Sequence, residues 1–498
     1  MTSSFLQLEQ AAAMRGCVLA YGHFTTIHPG HIRYLRHARS LGQELVVALI
    51  GDGPADQTRR YPFRQPERAE ALSMLGLADA VLLLQGDELE LAIEYLQPAV
   101  LVLGTELEGS QRMQQPLALM RSQGGSVQFH AGDVTYASAD LLNNSERDLL
   151  QRRREQFQAS CCRQNLNRAE LLASMEAWPE TRLIVLGDTI VDQYAACEAI
   201  GMSAEAPVVV VRELANRNFI GAAAVVAAHI HALGAQCDLV SVVGNDSTGD
   251  LVQQELNAHG IGDGLSRDPS RPTTFKKRYM VENQKLFRVS RLEQHNLDSE
   301  IEEQVITRLE ELAPHARGIV VSDFVYGVVT PKVLKVVQKL ARCHGLMLFG
   351  DLQCSSQVGS ISRFQNFSLL CPNERELRLA LQDKESGLES LSQKLLEDSK
   401  CERLVVKLAA EGFIAYDRDA EGTVITQPFP ALSVNPLDVA GAGDSLLAVM
   451  ATGLASGQAM MSTAALACCM ASLAVETMGN TPISADALRN NLEEVLQP

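Results

Sequence analysis

Asn435-Pro-Leu-Asp-Val-Ala-Gly-Ala-Gly-Asp-Ser445 is the stretch that decides the fold and chemistry of this chain. It places one carboxylate, Asp444, directly after Gly441-Ala442-Gly443 and ahead of an apolar run predicted as a helix. Small residues let backbone N–H groups converge on an anion at a helix N-terminus, where the dipole and unpaired donors favour negative charge. A carboxylate beside such a pocket is placed to take a proton from a hydroxyl as phosphate reaches it. The pattern points to phosphoryl transfer to an alcohol. The alternative is a glycine-rich loop followed by an N-capping Asp.

A chain of 498 residues predicts two or three domains. Hydrophobic content of 46% with 21% charged residues is that of a globular protein. A net charge of −17 disfavours nucleic acid and anionic membranes as partners, so a phosphate-bearing ligand must be held by local donors. The eleven Cys lack C-x-x-C spacing, and Cys161-Cys162 and Cys468-Cys469 are adjacent. They are expected as buried thiols in a reducing cytosol. The first ten residues lack a basic, then apolar, export pattern, which predicts a cytoplasmic protein. Ala448 to Val475 is apolar but interrupted by Gly, Ser, Gln and Thr, as in buried helices and not in a membrane span.

Cys17–Tyr21, Leu45–Ile50, Ala80–Leu84 and Val100–Leu103 are apolar runs of strand length, separated by helical patterns such as 31–39 and 67–75. A second series opens at Leu183-Ile-Val-Leu-Gly-Asp188 and continues through Asp238–Val243, Gly318–Ser322, Met347–Phe349, Ser368–Leu370 and Leu404–Lys407. The predicted class is α/β, with two domains, each a mainly parallel sheet flanked by helices. The boundaries expected are 1–145, a helical linker at 146–180, and 181–498. Arg152-Arg-Arg154 in the linker reads as a solvated helix face. Arg271 to Arg291, with Lys276-Lys-Arg278, reads as a small β-lid presenting basic residues.

Gly22-His-Phe-Thr-Thr-Ile-His28-Pro-Gly-His31 follows a strand and opens a helix. Two imidazoles three residues apart can donate to a phosphate oxygen there, as pyrophosphate leaves an attacked α-phosphorus. A structural pair or half of a metal site is the alternative. The segment Gly22-x-Phe24-x-x-x-His28-x-Gly30-His31 resembles the signature of cytidylyltransferase-type nucleotidyltransferases, and the resemblance runs through Arg68 to Ser138 over roughly the first 145 residues. It implies a Rossmann-like domain with His28 and His31 as catalytic residues. Gly22, Phe24, Gly30, Arg68 and Ser138 would bind a nucleoside triphosphate with Mg²⁺. Thr25 stands where that family usually has Asp, Leu103-Gly-Thr-Glu106 where Lys-Gly is common, and the late Ser/Thr cluster is thinned to Ala137-Ser138-Ala139.

From Arg182 onward the chain resembles the ribokinase-like sugar kinases. On that resemblance Asp444 is the catalytic base, Gly441, Ala442 and Gly443 form the anion hole, and Asn373-Glu-Arg-Glu376 supports Mg²⁺ and phosphate. Asn373 and Glu376 are thus the implied metal residues, and Lys407 stands in the nucleotide site where a Thr is usual. Asn-x-x-Glu alone is a common helix start. Asp192 implies sugar-hydroxyl binding, with Gly221, Ala222 and Asp323 at further substrate positions. Val225 replaces an Asn that often contacts sugar, and Ala440 replaces a Thr.

Together the two parts resemble the bifunctional heptose kinase/adenylyltransferases that make ADP-heptose for lipopolysaccharide, with the domain order reversed. Ser203–Pro207, Thr274–Arg278 and Gln284–Arg288 carry that likeness, and Tyr326 replaces its Lys. The implied substrates are ATP and a heptose-7-phosphate-like sugar, then a nucleoside triphosphate and a sugar 1-phosphate. Lys276, Arg278 and Arg288 would pair with a second phosphate on the sugar, and kinases of this fold imply a homodimer through the lid. Two alternatives remain open: a catalytically weak nucleotide-binding N-terminal domain, and a transferase acting on a polyol phosphate. Cys354 lacks an activating His in the sequence and is not expected as a nucleophile.

Overall fold

A computed structural model describes residues 4–24, 27, 29–52, 63–86, 88–104, 107, 111–130, 146–203, 205, 208–262, 264–281, 284–353, 359–383, 386–419 and 421–497. Contacts divide the chain into two compact units, residues 1–143 with 382–394, and residues 144–381 with 395–498.

In the first unit six parallel strands form one sheet: β1 (Ser4–Leu6), β2 (Val18–Gly22), β3 (Leu45–Leu49), β4 (Ala80–Leu83), β5 (Val100–Gly104) and β6 (Ser126–His130), ordered β1-β4-β3-β2-β5-β6. β2 and β3 are unbroken apolar runs because helices cover both faces. Leu19, Val46 and Ala48 pack with Leu89, Ile93 and Met120 on one side, while Val18, Leu45 and Val47 pack with Tyr34, Leu35 and Leu72 on the other. Chain direction across the sheet reverses between β2 and its neighbours β3 and β5. Ligands of open parallel sheets bind outside the strand C-termini at such a switch point. The Pro29–Ser40 helix begins there.

The second unit carries β7 (Arg182–Met202), β8 (Val209–Ala222), β9 (Gln236–Gly244), β10 (Leu265–Asp268), β11 (Thr274–Val281), β12 (Gln284–Arg291), β13 (Gly318–Asp323), β14 (Met347–Leu352), β15 (Leu369–Leu370), β16 (Arg403–Lys407), β17 (Phe413–Arg418) and β18 (Val424–Phe429). The main sheet runs β10-β9-β7-β13-β14-β15-β16-β17-β18, parallel except at β17 and β18. Only the inner part of β7, through Asp188, belongs to it. From Thr189 outward β7 pairs with β8 and β11, and β11 with β12, making a four-stranded lid. The lid is thus twice the size expected from residues 271–291. Between Asp188 and Ile200 no Gly or Pro interrupts β7, so the strand continues beyond the main sheet. The lid leaves Ile200, Met202, Leu214 and Phe287 exposed.

Helices Ala442–Ala455 and Met460–Val475 are buried along nearly their whole lengths, as the apolar composition of 448–475 predicts. No helix among the described residues is long and apolar enough to cross a membrane. The 146–180 segment is helical, and Phe157, Cys161, Leu171, Met175 and Trp178 sink into the core of the second unit.

Ala222, which caps the Ala223–Ala232 helix, adopts φ 58° and ψ −134°, a region that only glycine visits freely. Strain of this kind costs about 1–3 kcal/mol, and the extra chain entropy of glycine returns about 0.5–1 kcal/mol of that. Ala222→Gly should therefore stabilise the second unit by about 1 kcal/mol, read as a higher urea midpoint. An unchanged or lowered midpoint would show that the backbone is at ease there.

Candidate active site

A cavity of about 510 Å³ in the second unit collects most of the kinase-side residues singled out in the sequence: Asp192, Ala222, Lys276, Arg278, Arg288, Asn373, Lys407, Gly441, Ala442, Gly443 and Asp444 line it. Gly441, at φ 81°, is the N-cap of the Ala442–Ala455 helix, and Asp444 lies in its first turn. First-turn amides have no intrahelical acceptor, so the loop presents donors to the cavity. Asp444 is only 5% exposed, and its Oδ1 has no hydrogen-bond partner among the described residues. Burial, then the charge of Asp351, pushes its carboxyl up to about 8, while Lys407 and Lys276 act in the opposite sense.

Lys407 is half-buried and its Nζ donates to Asp351 Oδ1 and Oδ2 at 2.8 and 2.7 Å. Burial alone would lower its pKa, but the Asp351 charge holds it above the ordinary lysine value. Asn373 and Glu376 form a reciprocal cap: Glu376 N donates to Asn373 Oδ1 and Asn373 N to Glu376 Oε2, each at 2.9 Å. The motif is thus also the helix start that its spacing suggests. Among the described residues no group of three His, Cys, Asp or Glu side chains is arranged to hold a metal.

The lid supplies the opposite wall. Lys276, 3% exposed, stands over the rings of Phe324 and Tyr326 at 5.1 and 5.3 Å. Arg278 pairs with Asp192 and lies over Tyr194 at 5.2 Å. Tyr194, which the sequence reading did not single out, and Lys285, which it gave only within the Gln284–Arg288 stretch, tie the lid to the anion loop. Tyr194 of β7 and Lys285 of β12 both donate to Asp438, Lys285 at 2.8 Å. Burial would raise the Asp438 carboxyl, yet these donors hold it below the usual carboxylate range.

Gly221 leaves room for Asp192, since a Cβ there would lie 3.1 Å from Asp192 Oδ2. Asp323, expected to bind substrate, does not line the cavity. It is 1% exposed, accepts from Val325 N at 2.8 Å and pairs with Arg363 at 3.3 Å. Burial and the neighbouring Asp188 push it up to about 7. Asp188 in turn receives the amides of Phe324, Tyr326 and Val328, so the two acids brace that loop.

Arg153 corrects the reading of the basic triplet as solvated. It lies one turn before Phe157 on the inward face of the Glu146–Arg163 helix, and Phe157 and Cys161 carry that face into the core. Its guanidinium donates to Ala431 O at 3.1 Å and to Ser433 O, and it lines the cavity beside 430–434. Arg154 pairs with Glu494, and Arg152 alone of the three is exposed.

In the first unit Gly22 ends β2 and His31 lies in the helix that follows, its ring 4.9 Å from Phe24. Gly30 occupies the first turn of that helix. Phe24, expected at the nucleotide, is 3% exposed at φ 44° and its ring packs into the core. Arg68 is 2% exposed and binds His23 O, Ile50 O and Asp52, with Ile50 at 3.0 Å, which ties the C-terminal ends of β2 and β3. Leu103 is fully buried. Thr25, His28, Glu106, Ala137, Ser138, Ala139, Pro207 and Cys354 lie outside the described residues.

Residues 180–487 match the pfkB family carbohydrate kinases and residues 19–129 the cytidylyltransferase-like family. The first match takes in more than half of the chain, and the protein belongs to the pfkB family of carbohydrate kinases. Among curated relatives, Bifunctional protein HldE of Campylobacter jejuni subsp. jejuni serotype O:6 is 33% identical over 313 residues, 62% of this chain and 64% of that protein. The protein of the same name from Geobacter sulfurreducens is 33% identical over 306 residues, 60% and 61% of the two chains. The chain therefore spans less than two thirds of the length of these relatives. The matches give no support to reading its domain order as reversed relative to them. Phosphofructokinase-2 from Escherichia coli, solved with substrates and products, superposes with TM-score 0.54 at 18% identity over 64% of this chain and 100% of that one. Arabidopsis thaliana ribokinase, complexed with ribose and ATP, gives 0.50 at 19% identity over 63% and 99%. These likenesses show the fold of the second unit.

Two outcomes follow from this geometry. On the reading of Asp444 as a base, its carboxyl, pushed up to about 8, must be ionised to act, so kcat/KM for phosphoryl transfer should fall about tenfold per pH unit below 8 and level off above it. In stability the sign is opposite: the folded state keeps a proton that the unfolded chain releases, so this contribution is lost as pH rises through about 8. A pH profile flat from 6 to 9 would remove Asp444 as the base. The 430–434 wall lines the same cavity as Lys407 and Gly441–Gly443, the residues expected at the nucleotide, so Arg153→Ala should free that wall and raise KM for ATP about tenfold, roughly 1.4 kcal/mol, with kcat little changed. Initial-rate kinetics with varied ATP measure this, and an unaltered KM would count against it.

Proposed function

We propose that the second unit transfers the γ-phosphoryl group of ATP to a hydroxyl of a sugar phosphate, of the heptose-7-phosphate kind. The observation that carries this reading is Asp444: a buried carboxylate with a free oxygen, at a helix N-terminus, in one cavity with Lys276 and Arg278. Asp444 takes the proton of the acceptor hydroxyl as that oxygen bonds to the γ-phosphorus and the bond to the ADP oxygen breaks. The 441–444 amides receive the phosphoryl charge that moves during transfer. Asp192 holds sugar hydroxyls, and Lys276, Arg278 and Arg288 meet a second phosphate on the acceptor. Mg²⁺ would neutralise the triphosphate when bound. Asn373 and Glu376 would hold it through water, because their mutual cap already engages oxygens of both.

For the first unit we infer nucleotidyl transfer to a sugar 1-phosphate, with pyrophosphate leaving, and with His28 and His31 beside the phosphates. The product would be a nucleotide-sugar for surface polysaccharide. A second reading keeps nucleotide binding there with little turnover. The observation behind it is Leu103, which is buried in the core and offers no cation at the end of β5.

The test incubates pure protein with ATP, Mg²⁺ and a panel of sugar phosphates, and reads ADP and pyrophosphate separately. Asp444→Asn should cut ADP release by about 10²–10⁴ and spare pyrophosphate, while His31→Ala should do the reverse. Loss of both signals in either variant would contradict separate sites. Triphosphate binding without pyrophosphate on any sugar 1-phosphate would favour the second reading.

A further inference from the structure

We propose that Asn480 is a specificity-determining residue of the kinase site, whose side-chain oxygen accepts a hydrogen bond from a hydroxyl of the acceptor sugar beside the one held by Asp192. The proposal rests on the phosphoryl-transfer reading and adds a contact to it. Asn480 sits in the loop between the helices Met460–Val475 and Ala485–Val495, is 8% exposed, and lines the cavity. Its Nδ2 donates to Ile220 O at 3.2 Å and approaches Asp192 Oδ2 at 3.4 Å. Those two acceptors fix the amide, because exchanging O and N would set an oxygen against both.

Oδ1 therefore points the other way, toward the anion loop. A Cβ built on Gly441 would lie 2.3 Å from it. This oxygen has no hydrogen-bond partner among the described residues. Buried acceptors are nearly always paired, and an exception inside a cavity marks where a ligand donor belongs. The site is built around this side chain. Gly221 leaves space for it, since a Cβ there would come within 3.0 Å of Nδ2, and Gly441 leaves space on the other side.

A sugar hydroxyl suits the position because it donates to one acceptor while its own oxygen stays available to another group. Asp192, with Arg278 on one oxygen and Asn480 on the other, and Asn480 Oδ1 together present two neighbouring acceptors. Vicinal hydroxyls are the chemical class that matches them. The pair lies between the lid cations and the phosphoryl-receiving loop. The contact thus selects which face and which hydroxyl of the sugar meets Asp444.

Wild type, Asn480→Ala and Asn480→Ser are assayed with ATP and a panel of fructose 6-phosphate, ribose and a heptose 7-phosphate. The best acceptor is then compared with its single-deoxy analogues. The proposal expects Asn480→Ala to lower kcat/KM for the acceptor about 100-fold with KM for ATP unchanged. One deoxy analogue should be used equally by wild type and variant, since each then lacks the same hydrogen bond. Asn480→Ser, whose hydroxyl can also accept, should recover part of the loss and serves if the alanine variant fails to fold. Unchanged acceptor kinetics, or an equal loss across every deoxy analogue, overturns the assignment while leaving the kinase reading intact. No turnover of any panel member by wild type overturns both.

Discussion

A carboxylate kept out of water at the start of a buried helix is the constraint around which the second unit is organised. The Ala442–Ala455 helix is buried from Asp444 onward, so its N-terminus opens on the cavity with Asp444 at the first buried position. Isolating a charge there is costly unless cations and oriented amides lie nearby. Lys407, one of the cations acting on Asp444, is already engaged by Asp351. The remaining positive charge comes from the lid, where Lys276 rests on Phe324 and Tyr326 in place of a carboxylate. An ammonium stabilised by rings keeps its charge available, and a phosphate can exploit that.

This arrangement explains why the lid grows out of the main sheet itself. β7 crosses from the parallel core into the lid without a break, and it carries Asp192 and Tyr194 in its outer half. Tyr194 and Lys285 converge on Asp438, six residues before Asp444. The lid and the Gly441–Gly443 loop are thereby joined through one carboxylate. Asp188 and Asp323 brace the neighbouring loop from below, so the aromatic seat of Lys276 has a fixed height.

Local chemistry was legible in the sequence, and long-range pairing was not. Gly441, Gly443 and Asp444 announce an anion loop because their roles depend on backbone freedom and a single side chain. Asp192, Lys276 and Arg278 were found through family resemblance, and the structure brings all three to one cavity. Asn480 stayed hidden in Gly479-Asn480-Thr481-Pro482, which reads as an ordinary turn. Its significance arises only from Asp192, 288 residues away in sequence. Arg153 was missed for a related reason. A basic triplet is usually solvated, and only the burial of Phe157 one turn later shows which of the three faces inward. Arg68 and Phe24, which the family resemblance implies as nucleotide contacts, lie buried where they tie strand ends and fill the core.

The overall charge of −17 looks ill-suited to the anionic substrates proposed for this protein. The conflict dissolves when distance is considered. Exposed acids spread over the surface act through water and are screened beyond about 10 Å at ordinary salt. Lys276, Arg278 and the 441–444 amides act at contact range inside a cavity where screening is weak. The short-range term therefore decides binding once the substrate is seated, and the surface field affects chiefly the approach. The acceptor proposed above, a phosphorylated sugar, fits this division, because it would present a charge to the lid and hydroxyls to Asp192 and Asn480 at once.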